Sequence, residues 1–448
     1  MRTQALLLAA LSGSFACSSA SIGIDGSTVD DAGGADTGIA DSGIADSGIA
    51  DSGALPDAES PDAGPLPTQV ELKTFVNAVL ADPPWLAFRE GGGAWQQLTG
   101  AQGQYVLPLS APGAAYDIAI HCLGFGTSGL TQTVSFTATE VPALALSCAD
   151  SVQAVRVQGN LSHIPPQHCY MISAGMTSLG GCADGAFSFQ LLRGVTDFVV
   201  GLYPGSFTVP PDAFLIQRRI PIQGPITALN MDLDARVASE VHSLQTLGAP
   251  APPLRAAFFT SAGGTRVPLR SLNMPGDGMG MVPSLAQEPD DMHELYAETS
   301  TIGWTATVMR FQKAPRDVVL DFTGITGLPT PQATLSISAG AGFLSAQVTP
   351  RAGASYYDLE LDQAASVGRY SARISPAVLR ASAMTFQQLD LRGAPGFDVA
   401  WAPAAVQTGA GWRLMETRAA DPSLLHEGIS GARLDGTGFS VLVHASTL

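Results

Sequence analysis

From Val70 onwards the chain is a series of short apolar or alternating runs separated by Gly, Pro, Ser and Asn. Trp85 to Phe88, a turn at Arg89-Glu90-Gly91-Gly92-Gly93, and Ala94 to Leu98 predict a hairpin through a glycine turn. Tyr105 to Leu109 and Tyr116 to Ile120 alternate with a period of two, and Thr131 to Thr139 and Ala143 to Ser147 follow. Six or seven short strands at regular spacing in about 80 residues form the pattern of a β-sandwich. Another unit starts near Val152, and past Asp234 the spacing becomes less regular. There Leu254 to Thr260, Trp304 to Met309 and Val318 to Phe322 read as strands, and Asn273 to Asp291, rich in Gly, Met, Pro and Asp, reads as a long exposed loop. After a hinge at Pro329-Thr330-Pro331, strands are expected at 333–338, 344–349, 356–361, 368–374, 411–414 and 438–445. Phe397 to Trp401 belongs with these sheets, Ser375-Pro376 caps a short helix, and Asp421 to Leu425 starts one or two helical turns. The expected fold is all-β: tandem β-sandwich modules at 69–150, 151–235, 236–328 and 329–448, the third carrying the long loop.

Before Val70 this patterning is absent. Asp-Thr/Ser-Gly-Ile-Ala recurs with a period of five at Asp36, Asp41 and Asp46, then decays. Asp25 to Asp62 holds ten carboxylates and no Lys or Arg, and removing them from the net charge of −17 leaves −7. Such a run cannot bury enough surface to offset its ordering entropy, so 17–68 is expected to be a disordered acidic tether spanning about 40 Å. Its aspartates stand five apart, which matches neither the spacing of an EF-hand loop nor a nine-residue calcium repeat. The folded part, only mildly acidic and without a basic stripe, is a poor match for nucleic acid. The low charged content of 14% beside 46% hydrophobic residues leans towards an exported β protein with a neutral surface.

Met1-Arg2 and the apolar run Ala5 to Leu11 form a short export signal over 1–16, far below the roughly 20 residues that span a bilayer. The segment Ser14-Phe15-Ala16-Cys17 resembles the lipobox of bacterial lipoproteins, with Ser14 where the family usually has Leu. That resemblance implies cleavage before Cys17, its acylation, and, with Ser18 next, an outer-membrane or cell-surface address. Without acylation of Cys17 the product would be secreted. Gly103-Gln104-Tyr105-Val106-Leu107-Pro108-Leu109 and the strand after it are echoed by Gly185-Ala186-Phe187-Ser188-Phe189-Gln190-Leu191 and Asp197 to Leu202. Each copy resembles a hairpin of carboxypeptidase-regulatory-like or transthyretin-like sandwiches. Tyr356-Tyr357-Asp358-Leu359-Glu360-Leu361 and its neighbours resemble a fibronectin type III module. These resemblances imply a fold and no chemistry.

Cys122, Cys148, Cys169 and Cys182 form an even set in an exported chain, which implies disulfides with three connectivities open. Pairing of sequence neighbours inside one module gives Cys122–Cys148 and Cys169–Cys182. His163 and His168 flank Pro165-Pro166 beside Cys169, which excludes a helical zinc pair, so both read as turn histidines. His121, opposite Ile118 and Ile120 in an alternating strand, reads as exposed. Gly126-Thr127-Ser128-Gly129 and Gly428-Ile429-Ser430-Gly431 lack the nucleophile-elbow spacing. Asp290, Asp291, Glu294 and Glu298 fall together near the predicted loop as the one candidate carboxylate group. Trp85, Trp95, Trp304, Trp401 and Trp412 are the residues that could stack on sugars, with core packing the simpler use.

The sequence therefore assigns no catalytic, metal or cofactor residue. Its reading is a membrane-anchored envelope lipoprotein whose β-sandwich modules bind an envelope protein or glycan or serve as structure. The alternative is a hydrolase with its site in the third module.

Overall fold

The structure, a computed structural model, describes residues 65–447 apart from 77–78, 124–128, 149–153, 176, 183–184, 271–273, 302, 328–331, 339–340, 363–368, 404–410 and 420–437. The leader, Cys17, the acidic run to Gly64 and the expected turns at Asp421 to Leu425 lie outside them. The protein is all-β, and strands follow one another with one short α-helix and three single 3-10 turns among the described residues, the last of these, Val399–Trp401, standing where a sheet segment was expected.

The first module holds β1 (Gln69–Val76), β2 (Val79–Leu80), β3 (Trp85–Glu90), β4 (Gln96–Gln97), β5 (Gln104–Pro108), β6 (Ala115–Cys122), β7 (Leu130–Thr137) and β8 (Ala143–Cys148). The second holds β9 (Ala154–Ser162), β10 (His168–Ala174), β11 (Thr177–Gly181), β12 (Ala186–Leu192), β13 (Gly194–Pro204), β14 (Ala213–Ile222), β15 (Ile226–Asp232) and β16 (Val237–Ala238). The third holds β17 (Glu240–Leu247), β18 (Leu254–Thr260), β19 (Arg266–Arg270), β20 (Gly278–Met281), β21 (Met292–Thr301), β22 (Trp304–Gln312) and β23 (Val318–Asp321). The fourth holds β24 (Gln332–Ser338), β25 (Ala341–Gln347), β26 (Tyr356–Asp362), β27 (Arg369–Ile374), α1 (Pro376–Ala381), β28 (Thr385–Gln387), β29 (Gly411–Ala419) and β30 (Gly438–Thr447). Ser375 caps α1 as its sequence position requires, its Oγ accepting from Val378 N at 3.3 Å.

Three modules share one topology. Apart from the two-residue strands β2 on β1 and β16 on β14, a three-strand layer, β5-β1-β8, β12-β9-β15 or β20-β17-β23, packs on a four-strand layer, β4-β3-β6-β7, β11-β10-β13-β14 or β19-β18-β21-β22. In each, the first and last of these strands lie parallel and adjacent: β1 with β8, β9 with β15, β17 with β23. The fourth module repeats the four-strand layer as β27-β26-β29-β30, but β24 takes the last strand's place and runs antiparallel to β25. Each pair of layers encloses its own apolar core, with Ile118 and Phe136 in the first, Phe189 and Phe198 in the second, Phe259 and Leu295 in the third, Tyr357 and Leu414 in the fourth.

The repeated Gly-x-aromatic segments occupy equivalent strands, β5 and β12, with strict alternation of exposed and buried residues. Neither forms a hairpin with the next long strand, because β5 and β12 pair with β1 and β9 in the layer opposite β6 and β13. The leading glycine has a steric cause: a Cβ at Gly103 would come within 2.6 Å of Thr74 O, and one at Gly185 within 2.1 Å of Leu161 O. The β3–β4 hairpin forms as expected, with positive φ at Gly91 and Gly92.

Beyond the modules, one sheet runs through three of them. Its twelve strands are ordered β19-β18-β21-β22, then β30-β29-β26-β27, then β7-β6-β3-β4, so the four-strand layers of the third, fourth and first modules are one ladder. The joins are β22 antiparallel to β30 and β27 parallel to β7. The second module stands off this sheet and packs the outer side of β13 and β14 on the third module's core, through Val199 and Phe214. β13 is consequently buried along Asp197–Tyr203 on both faces.

Two expectations are corrected here. Asn273 to Asp291 is not a long exposed loop: it contains β20, and Met274, Met279, Met281, Val282 and Asp291 are buried in the third module. His121 is buried, because the fourth module covers the outer face of β3 and β6. Trp85, Ala87 and Ala119 on that face form a core with Phe343, Tyr370 and Phe397.

Candidate functional site

The residues with chemistry sort by the strand ends and faces on which they fall. β21 places Glu294 and Glu298 on one face, four residues apart, hence about 13 Å along the strand. That exceeds the separation of a glycosidase carboxylate pair. Each has its own partners. Glu294 Oε1 accepts from Thr260 Oγ1 at 2.6 Å and Oε2 lies 2.9 Å from Arg266 Nε. Glu298 accepts from the Tyr296 hydroxyl, and burial holds its carboxyl above the usual range. Asp291 points away to the second module. The four carboxylates singled out in the sequence are thus dispersed, and two of them lie in a strand rather than in a loop.

Asp291 belongs to a buried ion cluster between the second and third modules. Arg218 of β14 donates to Asp291 through Nη1 at 2.8 Å and Nη2 at 2.5 Å, and lies 3.4 Å from Asp197 of β13. Backbone N–H groups of Ala262 and Glu288 fill the remaining positions on Asp291, at 2.7 and 2.8 Å, and those of Arg219 and Gly263 serve Asp197, at 2.7 and 3.1 Å. Burial opposes the guanidinium charge, but Asp291 and Asp197 hold it above its ordinary proton affinity. Asp291 accepts four N–H donors and Asp197 three, so the cluster's hydrogen-bonding capacity is spent largely on fastening the two modules.

The histidines serve similar ends. His121 stacks flat on Trp401, ring centroids 4.0 Å apart, with Nδ1 2.9 Å from Thr131 Oγ1, and burial lowers its pKa to about 4 despite Asp398 nearby. His168 places Nε2 2.9 Å from Asp212 Oδ2 and Nδ1 3.0 Å from Pro166 O, and is half-buried at the start of β10. His163, which the sequence pairs with His168, turns the other way, to Asp232 and Asp234. That grouping was hidden by 69 residues of separation, and the signal that exposes it is the parallel pairing of β9 with β15.

Cys122–Cys148 and Cys169–Cys182 are bonded, the neighbour pairing expected. Among the tryptophans, Trp85 and Trp412 are buried and Trp95, Trp304 and Trp401 half-buried. Arg89 lies over Trp95, 4.6 Å from the ring centroid, and Trp304 packs against Gly327. Residues 124–128 and the Gly428–Gly431 string lie outside the described residues.

No protein-family model matches this chain, and no curated protein is similar to it. Weak likenesses to solved structures were found. The Bacillus anthracis TIE protein is 8% identical over 57% of this chain and 50% of its own, with a TM-score of 0.17. A putative adhesin from Bacteroides ovatus is 8% identical over 39% of this chain and 95% of its own, with a TM-score of 0.15. The FN1–FN3 domains of chicken CNTN1 are 9% identical over 57% of this chain and 84% of their own, with a TM-score of 0.13. The chain spans half the length of the first of these. Likenesses this low leave the functional reading to the residues themselves.

Proposed function

We propose that this chain is a binding or structural protein of the bacterial envelope, held at the membrane by an acylated Cys17. In this reading the acidic run to about Thr68 is a solvated tether that gives the modules clearance from the membrane. The observation that carries the non-catalytic reading is the use made of buried chemistry. Arg218, Asp197 and Asp291 fasten two modules, and His121 packs between two others. Such a body offers broad, rigid sheet faces, which suit recognition of an envelope protein or glycan, or a spacing role.

The anchor is tested by fatty-acid labelling and detergent partitioning of the wild type beside Cys17→Ser. Label and partition that vanish in the variant support the reading, and an unlabelled, soluble wild type removes the anchor. Retention of a defined glycan or purified envelope protein by the immobilised chain supports binding, and a clean negative on both leaves the spacing role.

A further inference from the structure

At one end of the second module, β9 and β15 finish side by side, with Ser162 opposite Asp232 in the parallel register. The next residue after β9 is His163, held at a φ of 57°, and Asp232 caps the short turn that carries Asp234. His163 Nδ1 lies 2.7 Å from Asp232 Oδ1 and 3.3 Å from Asp234 Oδ2. One ligand atom from each of the three residues falls within 4.8 Å of the other two. The side chains are exposed, at 59%, 57% and 67%, so an ion reaches them from solvent without any opening of the fold.

We propose that His163, Asp232 and Asp234 bind one divalent ion of the zinc class, with water completing its shell. The donor set selects the class. An imidazole with two carboxylates suits zinc and its first-row neighbours, whereas calcium and magnesium take oxygen. Two aspartates balance the ion's charge. Arg236, whose Nη1 is 3.8 Å from Asp234 Oδ1, competes for one of them and weakens the site.

The first module offers a comparison. The corresponding end of the first module is tied covalently, since Val76 of β1 lies beside Cys148 of β8 and Cys148 is bonded to Cys122 of β6. The second module's disulfide lies elsewhere, joining β10 to the end of β11. The His163–Asp232–Asp234 group thus lies at the strand end where the first module has a cross-link, but an ion there would tie β9 to the turn after β15 within one layer, whereas the disulfide ties β8 to β6 of the opposite layer.

Untagged full-length protein, stripped with chelator, is titrated with zinc chloride alone by isothermal calorimetry, and its melting is followed with and without the ion. The expected result is a saturable site with one zinc per chain that raises the melting temperature. His163→Gln and Asp234→Asn each weaken it at least tenfold, and Arg236→Gln tightens it. Both ligands are exposed, so the zinc-free variants melt like the wild type and lost affinity is not lost folding. Millimolar calcium leaves the zinc in place. No saturable site, equal affinity in a His163→Gln/Asp234→Asn double variant, or displacement by calcium overturns the proposal.

Discussion

The first and fourth modules, distant in sequence, are joined by backbone: β7 lies parallel to β27 from Leu130–Arg369 to Ser135–Ile374. An aromatic core built on Trp85, Tyr370 and Phe397 backs that ladder. Glu140 adds to it by accepting from Ser375 Oγ and from Ala377 N at the start of α1. The second and third modules, adjacent in sequence, share no ladder among the described residues; Val199 and Phe214 pack on the third module's core, Thr265 Oγ1 donates to Asp197 O, and one guanidinium is set between two buried carboxylates. A ladder spreads its energy over many peptide groups and tolerates most side-chain changes. A buried ion cluster concentrates it in one residue, whose loss leaves charge without compensation. The two joints therefore fail differently, and each can be broken alone.

The largest effect is expected at the ion cluster. Arg218→Ala should destabilise the protein by about 3–5 kcal/mol, because Asp197 and Asp291 stay buried and unpaired. Chemical denaturation measures it, and limited proteolysis should then release the second module from the other three. Replacing all three charges, with Arg218→Met, Asp197→Asn and Asp291→Asn, should recover most of the loss. A cost below about 1 kcal/mol for Arg218→Ala would place the cluster among ordinary surface pairs.

Acid should act on the other joint. His121 has a folded pKa of about 4 because burial disfavours its charged form. Between its unfolded value, about 6.5, and that folded value, the unfolded chain holds a proton that the folded chain does not. Stability contributed here is thus present above pH 6.5 and lost as pH falls, by about 2–3 kcal/mol at pH 4.5. His121→Phe keeps an aromatic ring against Trp401 and should remove that part of the slope in urea titrations at pH 7 and 4.5. His293, also lowered to about 4 by burial in the third module, acts with the same sign in both proteins. Glu298, raised by burial, acts with the opposite sign in both. An unchanged slope in His121→Phe would show that the joint is not acid-sensitive.

Much of each module was legible in the sequence, and little of how modules meet. Alternation in Gln104–Pro108 and Ala186–Leu192, the glycine turn after Glu90 and the spacing of the cysteines are local signals, and each led to the right strand, turn or bond. The joints left a fainter trace. Trp85 to Phe88 and Phe198 to Leu202 are unbroken apolar runs, which fit strands buried on both faces. Reading β6, from the alternation around Ile118 and Ile120, as a half-buried strand is what made His121 look exposed. The ion cluster and the zinc-class group could not be read in advance. Arg218 finds Asp291 across 73 residues and His163 finds Asp232 across 69, and only the shared topology brings them together.

The first and fourth modules are parts of one sheet, and hydrogen exchange reads that continuity. Peptides covering Leu130–Thr137 and Arg369–Ile374 are followed by mass spectrometry in the intact protein. A continuous ladder gives them protection equal to that of β6 and β26, which lie inside their modules. Fast exchange in both segments, as expected of two free edges, would contradict it.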